Sequence, residues 1–93
     1  MNNQLKVTII ILNWNKKEFL EENLRSVLDQ NYGNFEVVVA DNGSEDGSVE
    51  YLKKVRVKEK RLNVLEFEKN YGYVSGYNKA VKTVLEKGRQ VAL

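Results

Sequence analysis

Two largely apolar runs without polar alternation, the mainly β-branched Val7-Thr8-Ile9-Ile10-Ile11-Leu12 and then Phe35-Glu36-Val37-Val38-Val39-Ala40, constrain this chain more than any other feature. A strand with one face in water alternates apolar and polar residues, whereas a strand covered on both faces reads as a continuous apolar run. Between the runs the period changes, from Lys16 on, to that of a helix. Phe19, Leu20, Leu24, Val27 and Leu28 fall on one face, and Glu21, Glu22, Arg25 and Asp29 on the other. This helix is expected to end near Gln30, before the turn-forming Asn31-Tyr32-Gly33-Asn34. Two doubly covered strands joined by a helical crossover form a parallel pair.

The same alternation continues. The second run stops at Asp41-Asn42-Gly43-Ser44, where Ser44 is expected to cap a helix, with Glu45 and Asp46 in its first turn and Val49, Leu52 and Val55 facing inward. A short strand from Asn63 to Phe67 follows. Asn70-Tyr71-Gly72 breaks the chain again, and Val74, Tyr77, Val81, Val84 and Leu85 then mark a further amphipathic helix with Gly88 as its stop. Val91-Ala92-Leu93 begins a fourth strand. The order β-α-β-α-β-α-β predicts an α/β fold: three α/β/α layers, a parallel sheet, right-handed crossovers and helices on both faces. The 93 residues are expected to form a single domain over 1–93.

Composition removes several chemistries. The chain has no cysteine and no histidine, which excludes disulfides, thiolate chemistry, zinc sites of the usual ligands and a Ser-His-Asp triad. A net charge of +2, from 15 basic and 13 acidic residues, argues against nucleic acid as a partner. Lys58-Glu59-Lys60-Arg61 mixes signs and reads as a solvated helix end or loop. The opening Met1 to Lys6 lacks the layout of a signal peptide, and Val7 to Leu12 is far shorter than the roughly 20 residues of a membrane span. The expected compartment is the cytoplasm, at the membrane periphery if the chain belongs to a longer enzyme.

In open parallel sheets ligands collect beyond the carboxyl ends of the strands. Three loops qualify: Asn13-Trp14-Asn15-Lys16, Asp41-Asn42-Gly43-Ser44, and Asn70-Tyr71-Gly72 with its continuation to Gly76 and Asn78. The first holds no glycine, which argues against a dinucleotide-binding G-x-G-x-x-G turn, and no acid, which argues against a phosphoacceptor pocket. It does hold an indole, Trp14, flanked by amides. An aromatic face stacks on a base, and a carboxylate at the neighbouring strand end accepts a ring N–H. Trp14 and Asp41 fit that pair, and Asp41 would favour uracil or thymine over cytosine, whose N3 carries no proton. Lys16 could reach a diphosphate as a point charge.

Plainer roles stand beside these. Trp14 could be a core aromatic and Asp41 could order its turn; Gly43 and Gly47 could serve only positive φ angles. Gly72 and Gly76 suit either close approach of a ligand or a turn and helix start. Asn78 either faces the first loop or bonds to backbone. Ser44 and Ser48 read as caps and not as nucleophiles, since no base is placed to activate them. No catalytic residue and no metal ligand is identified.

These segments resemble the start of the family 2 glycosyltransferases, which have the GT-A fold. Val7 to Asn15 is similar to the family's opening strand followed by Pro-Thr-Tyr-Asn, with Leu12, Asn13 and Trp14 standing where proline, threonine and tyrosine are usual. Asp41-Asn42-Gly43-Ser44-Glu45-Asp46-Gly47-Ser48 resembles its Asp-x-x-Ser-x-Asp-Gly-Ser/Thr segment. Asn70 to Ala80 resembles the Asn-x-Gly then Gly-x-Asn signature of the rhamnosyltransferase-like branch.

The resemblance implies the nucleotide-binding, Rossmann-like half of a GT-A enzyme of polysaccharide biosynthesis. Such an enzyme moves a sugar from a UDP- or dTDP-linked donor, dTDP-rhamnose among them, to a hydroxyl acceptor. Asn13, Trp14, Asn15, Asp41, Asn42, Gly43, Ser44, Asn70, Gly72, Gly76 and Asn78 are then the nucleotide-binding residues, with Asp41 on the base N3–H and residue 14 on its ring. A full-length enzyme is implied to hold Mg²⁺ or Mn²⁺ on an Asp-x-Asp motif after the fourth strand, beyond Leu93. Alone, this chain is expected to turn over very weakly. The alternative is a non-catalytic fragment or a nucleotide-binding assembly module. The fourth strand would leave an apolar sheet edge, through which self-association is expected.

Overall fold

The computed structural model describes residues 6–30, 33–86 and 90–92. Its elements are β1 (Val7–Asn13), α1 (Lys17–Leu28), β2 (Phe35–Asp41), α2 (Ser48–Lys58), β3 (Leu62–Glu66), α3 (Tyr73–Glu86) and β4 (Gln90–Ala92). The turn at Asn31-Tyr32, the helix stop at Gly88 and the strand residue Leu93 lie outside the described residues. The sheet has the order β3-β2-β1-β4, with all neighbours parallel and β4 beside β1. Among the described residues no strand pairs with the outer edge of β4 or of β3.

Both faces of the central strands are covered, which is what their unbroken apolar sequence requires. Every residue of β2 is buried. Val37 and Val39 pack with Leu20 and Leu24 of α1 and Leu52 of α2, while Val38, Ala40 and Ile10 pack on the opposite face with Ala80 and Val84 of α3. Thr8 and Glu36 are buried within the apolar runs. The Thr8 hydroxyl and the Asn63 amide each donate to the Glu36 carboxylate at 3.0 Å, so that charge is answered across three adjacent strands.

Several helix faces differ from those read from the sequence. Of the residues read onto the inward face of α1, Leu20 and Leu24 are buried and Val27 and Leu28 half-buried, whereas Phe19 is 67% exposed. On α3 the buried line is Gly76, Ala80 and Val84, spaced four apart, with Tyr77 and Val81 half-buried beside it. Val74 and Leu85 lie round the helix from that line and are exposed. Small residues let α3 sit close to the sheet, and larger apolar residues on its back stay in water. β3 starts at Leu62, one residue before the expected Asn63, and Phe67 follows it. Ser44 does not cap α2, which starts at Ser48 after Gly47 in a left-handed conformation, so Glu45 and Asp46 precede the helix.

Register sets the level of the site. Asn13 pairs with Asp41, and Asp41 with Glu66, so three strand ends finish side by side and their loops emerge together.

Candidate functional site

Asp41 is the centre of this arrangement. It has no exposed surface. Its Oδ1 accepts hydrogen bonds from the Asn13 amide at 3.0 Å and the Ser44 hydroxyl at 2.7 Å, and its Oδ2 accepts the Ser44 backbone N–H at 2.8 Å. Ser44 Oγ in turn accepts the backbone N–H of Asn15 at 2.9 Å. Asn15, held at a φ of 48°, accepts the Glu45 N–H on its Oδ1 at 2.7 Å. Asn and Asp are the side chains that tolerate that left-handed geometry best. First and second loops are thus sewn together by side chains that sequence reasoning offers to a ligand.

Asn42 joins the second loop to the third. It is buried, its Oδ1 accepts the Tyr71 N–H at 3.0 Å, and its Nδ2 donates to the Gly72 carbonyl at 3.1 Å. Gly43, at a φ of 80°, lies against the backbone of Lys69, where a Cβ would come within 2.8 Å. Asn70 shapes the third loop by accepting the Gly72 N–H at 2.7 Å. Gly76 lies inside α3, facing the Asn42 amide and the Leu12 side chain, so its missing side chain makes room for protein. Asn78 is exposed on α3.

Trp14 has a different setting. Its side chain belongs to neither core cluster, and the residue is 48% exposed, on a loop whose two neighbours are fixed. Its chain neighbours line two cavities: Asn13 and Lys16 border a groove of about 530 Å³ with Leu12, Phe19 and Tyr77, and Asn15 and Lys16 border a shallow hollow of about 730 Å³ with Lys17, Glu18, Phe19, Glu22 and Asp46. Lys16 borders both. Phe19, in the first turn of α1, is exposed as well.

Asp46 is a residue whose role the sequence reading missed. Its Oδ2 accepts the Lys17 N–H at 2.9 Å, tying the second loop to the first turn of α1, and its Oδ1 accepts the Ser48 N–H at 3.0 Å and the Ser48 hydroxyl. The signal was an Asp two residues before the first helical residue, a position suited to a side-chain turn. The Ser48 hydroxyl holds its carboxyl below the ordinary 3.8, opposed by burial and helped by the Lys17 and Ser48 amides. A carboxyl depressed in the folded state stabilises while ionised, and that contribution disappears as pH falls through the folded value. The Lys17 amide resonance is therefore expected to titrate with a midpoint below pH 3.8, and a midpoint at or above that value contradicts the link.

Among the described residues no three acidic, histidine or cysteine side chains converge to hold a metal ion. Asp41 and Asp46 both spend their oxygens on protein donors. These residues do not fit a divalent-metal centre.

The decisive comparison is with protein families: the profile described as "Glycosyl transferase family 2" matches residues 8–87, which includes all three loops. The chain belongs to glycosyl transferase family 2. Among curated relatives, the putative teichuronic acid biosynthesis glycosyltransferase TuaG of Bacillus subtilis is 31% identical over 86 residues, spanning 92% of this chain and 33% of that protein. An uncharacterized glycosyltransferase of Haemophilus influenzae is 27% identical over 78 residues, 84% of this chain and 24% of its own length. The solved mannosyltransferase PcManGT of Pyrobaculum calidifontis, in complex with GDP-Man and Mn²⁺, superposes with a TM-score of 0.76 at 27% identity, covering 83% of this chain and 24% of that one. The fold is accordingly that of the amino-terminal part of a GT-A glycosyltransferase. The chain spans between a quarter and a third of the length of these family members. No helix among the described residues is long and apolar enough to cross a membrane.

Proposed function

We propose that this chain is the nucleotide-sugar-binding part of a cytoplasmic glycosyltransferase of polysaccharide assembly, which passes a sugar from a UDP- or dTDP-linked donor to a hydroxyl acceptor. dTDP-rhamnose is the donor that the third-loop signature favours. The observation that carries the reading is the half-exposed indole of Trp14 on a loop locked at the carboxyl ends of β1 and β2. The nucleoside base stacks on that indole, and Lys16, which lines both hollows, approaches the diphosphate. Asp41 acts from behind this surface, since a ring N–H reaches its carboxylate only by displacing one of three protein donors. A nucleotide-sugar donor is supported by the family and by the GDP-Man of the mannosyltransferase neighbour. The Mn²⁺ of that neighbour supports a divalent metal in the complete enzyme, on residues other than those described here. The outer edge of β4 is where further chain, or a second copy, would pair. A mass that rises with concentration would mark the second copy.

Calorimetric titration with UDP tests the base site. Stacking is worth roughly 1 to 3 kcal/mol per base, so Trp14→Ala is expected to weaken binding about tenfold or more. Exposure makes this a clean substitution, whereas Asp41→Ala also dismantles the loops. Equal affinity of the parent and Trp14→Ala chains, or no binding by either, would reject the proposed site.

A further inference from the structure

The charge of this chain is concentrated. Residues 53–61 hold six bases and one acid, a local net of +5 in a chain of net +2, so the other 84 residues together carry −3. The fold directs that excess to one end of the molecule. α2 runs back along the sheet as a crossover, so its carboxyl end and the turn into β3 lie at the amino ends of the strands, away from the three loops, while Lys53, midway along α2, reaches back to Glu66 at the carboxyl end of β3. The seven residues of β2 separate the two ends by roughly 20 Å.

The fold itself uses two of these bases. Arg61 binds the Glu59 carboxylate at 2.7 Å and the Leu28 carbonyl at 3.1 Å and lies over the Phe35 ring, while Lys53 pairs with Glu66 at 3.6 Å beside the open edge of β3. Lys54, Arg56, Lys58 and Lys60 enter neither ion pair and are exposed. One or two cations suffice to complement the carboxyl end of a helix dipole. Among them Val57 is 75% exposed, sharing the solvent face of α2 with Lys53, Lys54 and Lys58. Glu50, two turns earlier on that face, bounds the basic region. An aliphatic side chain among basic ones suits the boundary between charged headgroups and apolar chains.

We propose that this end of the molecule docks on an anionic lipid surface, with Lys54, Arg56, Lys58 and Lys60 over headgroup phosphates and Val57 at the boundary with the acyl chains. Clusters of four or more bases on a helix end attract anionic leaflets. Nucleic acid is the weaker match, because residues 52–62 hold no aromatic side chain on which a base could stack. Docked in this way, the chain turns its three loops away from the bilayer and toward the soluble phase. The proposal does not depend on the nucleotide reading, since it uses none of the loop residues.

Flotation of the chain with vesicles of phosphatidylcholine, with and without phosphatidylglycerol, tests it. Binding is expected only with phosphatidylglycerol and is expected to weaken as salt is raised. The double variant Lys54→Glu with Lys58→Glu should bind at least tenfold more weakly, and Val57→Asp severalfold more weakly. All three positions are exposed, so the circular dichroism spectrum of the folded variants should be unchanged. Equal binding to both kinds of vesicle, binding to neither, or insensitivity to the charge reversal overturns the proposal. So does binding to a single-stranded oligonucleotide as tight as to the anionic vesicles with Val57→Asp neutral, which assigns the surface to nucleic acid.

Discussion

Asp41→Ala is expected to lower the unfolding free energy by about 3 kcal/mol, a large part of the margin available to a domain of this size. The measurement is the urea midpoint at unchanged slope. The substitution takes a fully buried acceptor away from three donors at once. The Asn13 amide keeps only its 3.3 Å contact with Ser44 Oγ, and the Ser44 backbone N–H keeps none of its recorded partners. The first loop loosens too, because the Ser44 hydroxyl that Asp41 orients is what holds the Asn15 N–H. Asp41→Asn keeps the volume and one acceptor but turns an N–H toward converging donors, and should cost about 2 kcal/mol. That variant also separates two roles for the carboxylate. If Asp41 only shapes the loops, UDP and CDP lose affinity in parallel; if it takes a ring N–H when the nucleotide binds, UDP loses more, because cytosine has no proton at N3. A chain as stable as the parent after either substitution would mean that the hydrogen-bonded cluster is not what holds the strand ends together.

The strands and the level of the site were legible because burial on both faces leaves a one-dimensional trace. β1 and β2 show no polar alternation, and polar turn residues follow where they stop. The inward face of α3 left no such trace. Gly76 and Ala80 come close to the sheet because they are small, and smallness carries little hydrophobic signal, so a stripe drawn through apolar residues selects Val74 and Leu85 instead. Ser44 suits a cap in the sequence because serine can serve a helix ahead of it or a side chain behind it. The choice is made by Asp41, three residues earlier and in register with Asn13. The links from Lys17 to Asp46 and from Asn42 to Tyr71 each join residues 29 apart, beyond any local pattern. The bases of α2 were visible as letters, but their concentration at one end follows from the crossover that reverses the helix against the strands. Residue types at the strand ends therefore located the candidate site, whereas which side chains face a ligand and which face one another was decided by contacts between loops.

That distinction makes Gly43→Ala the second substitution of large expected effect, about 3 kcal/mol of lost stability. Two glycines here share a backbone conformation and differ in surroundings. Gly43 has a φ of 80° and Gly72 a φ of 85°, so a side chain at either pays the left-handed penalty. Around Gly72 no other atom lies within 4 Å of an added Cβ, and Gly72→Ala should cost about 1 kcal/mol. At Gly43 the added atom meets the Lys69 Cα and carbonyl carbon at 2.8 Å and the Asn70 nitrogen at 3.1 Å, all backbone atoms that cannot rotate away. Relief requires the second and third loops to part, which strains the Asn42 hydrogen bonds to Tyr71 and Gly72 and the Phe67 N–H bond to the Asp41 carbonyl. The difference between the two variants, about 2 kcal/mol in chemical denaturation, isolates the cost of separating the loops from the cost of the φ angle. Faster hydrogen exchange at the Tyr71 amide in Gly43→Ala, and not in Gly72→Ala, is the local sign of the same event. Should both variants unfold alike, the second and third loops are not tied to each other, and Asn42 ceases to be the link that keeps Asn70 and Gly72 near the strand ends.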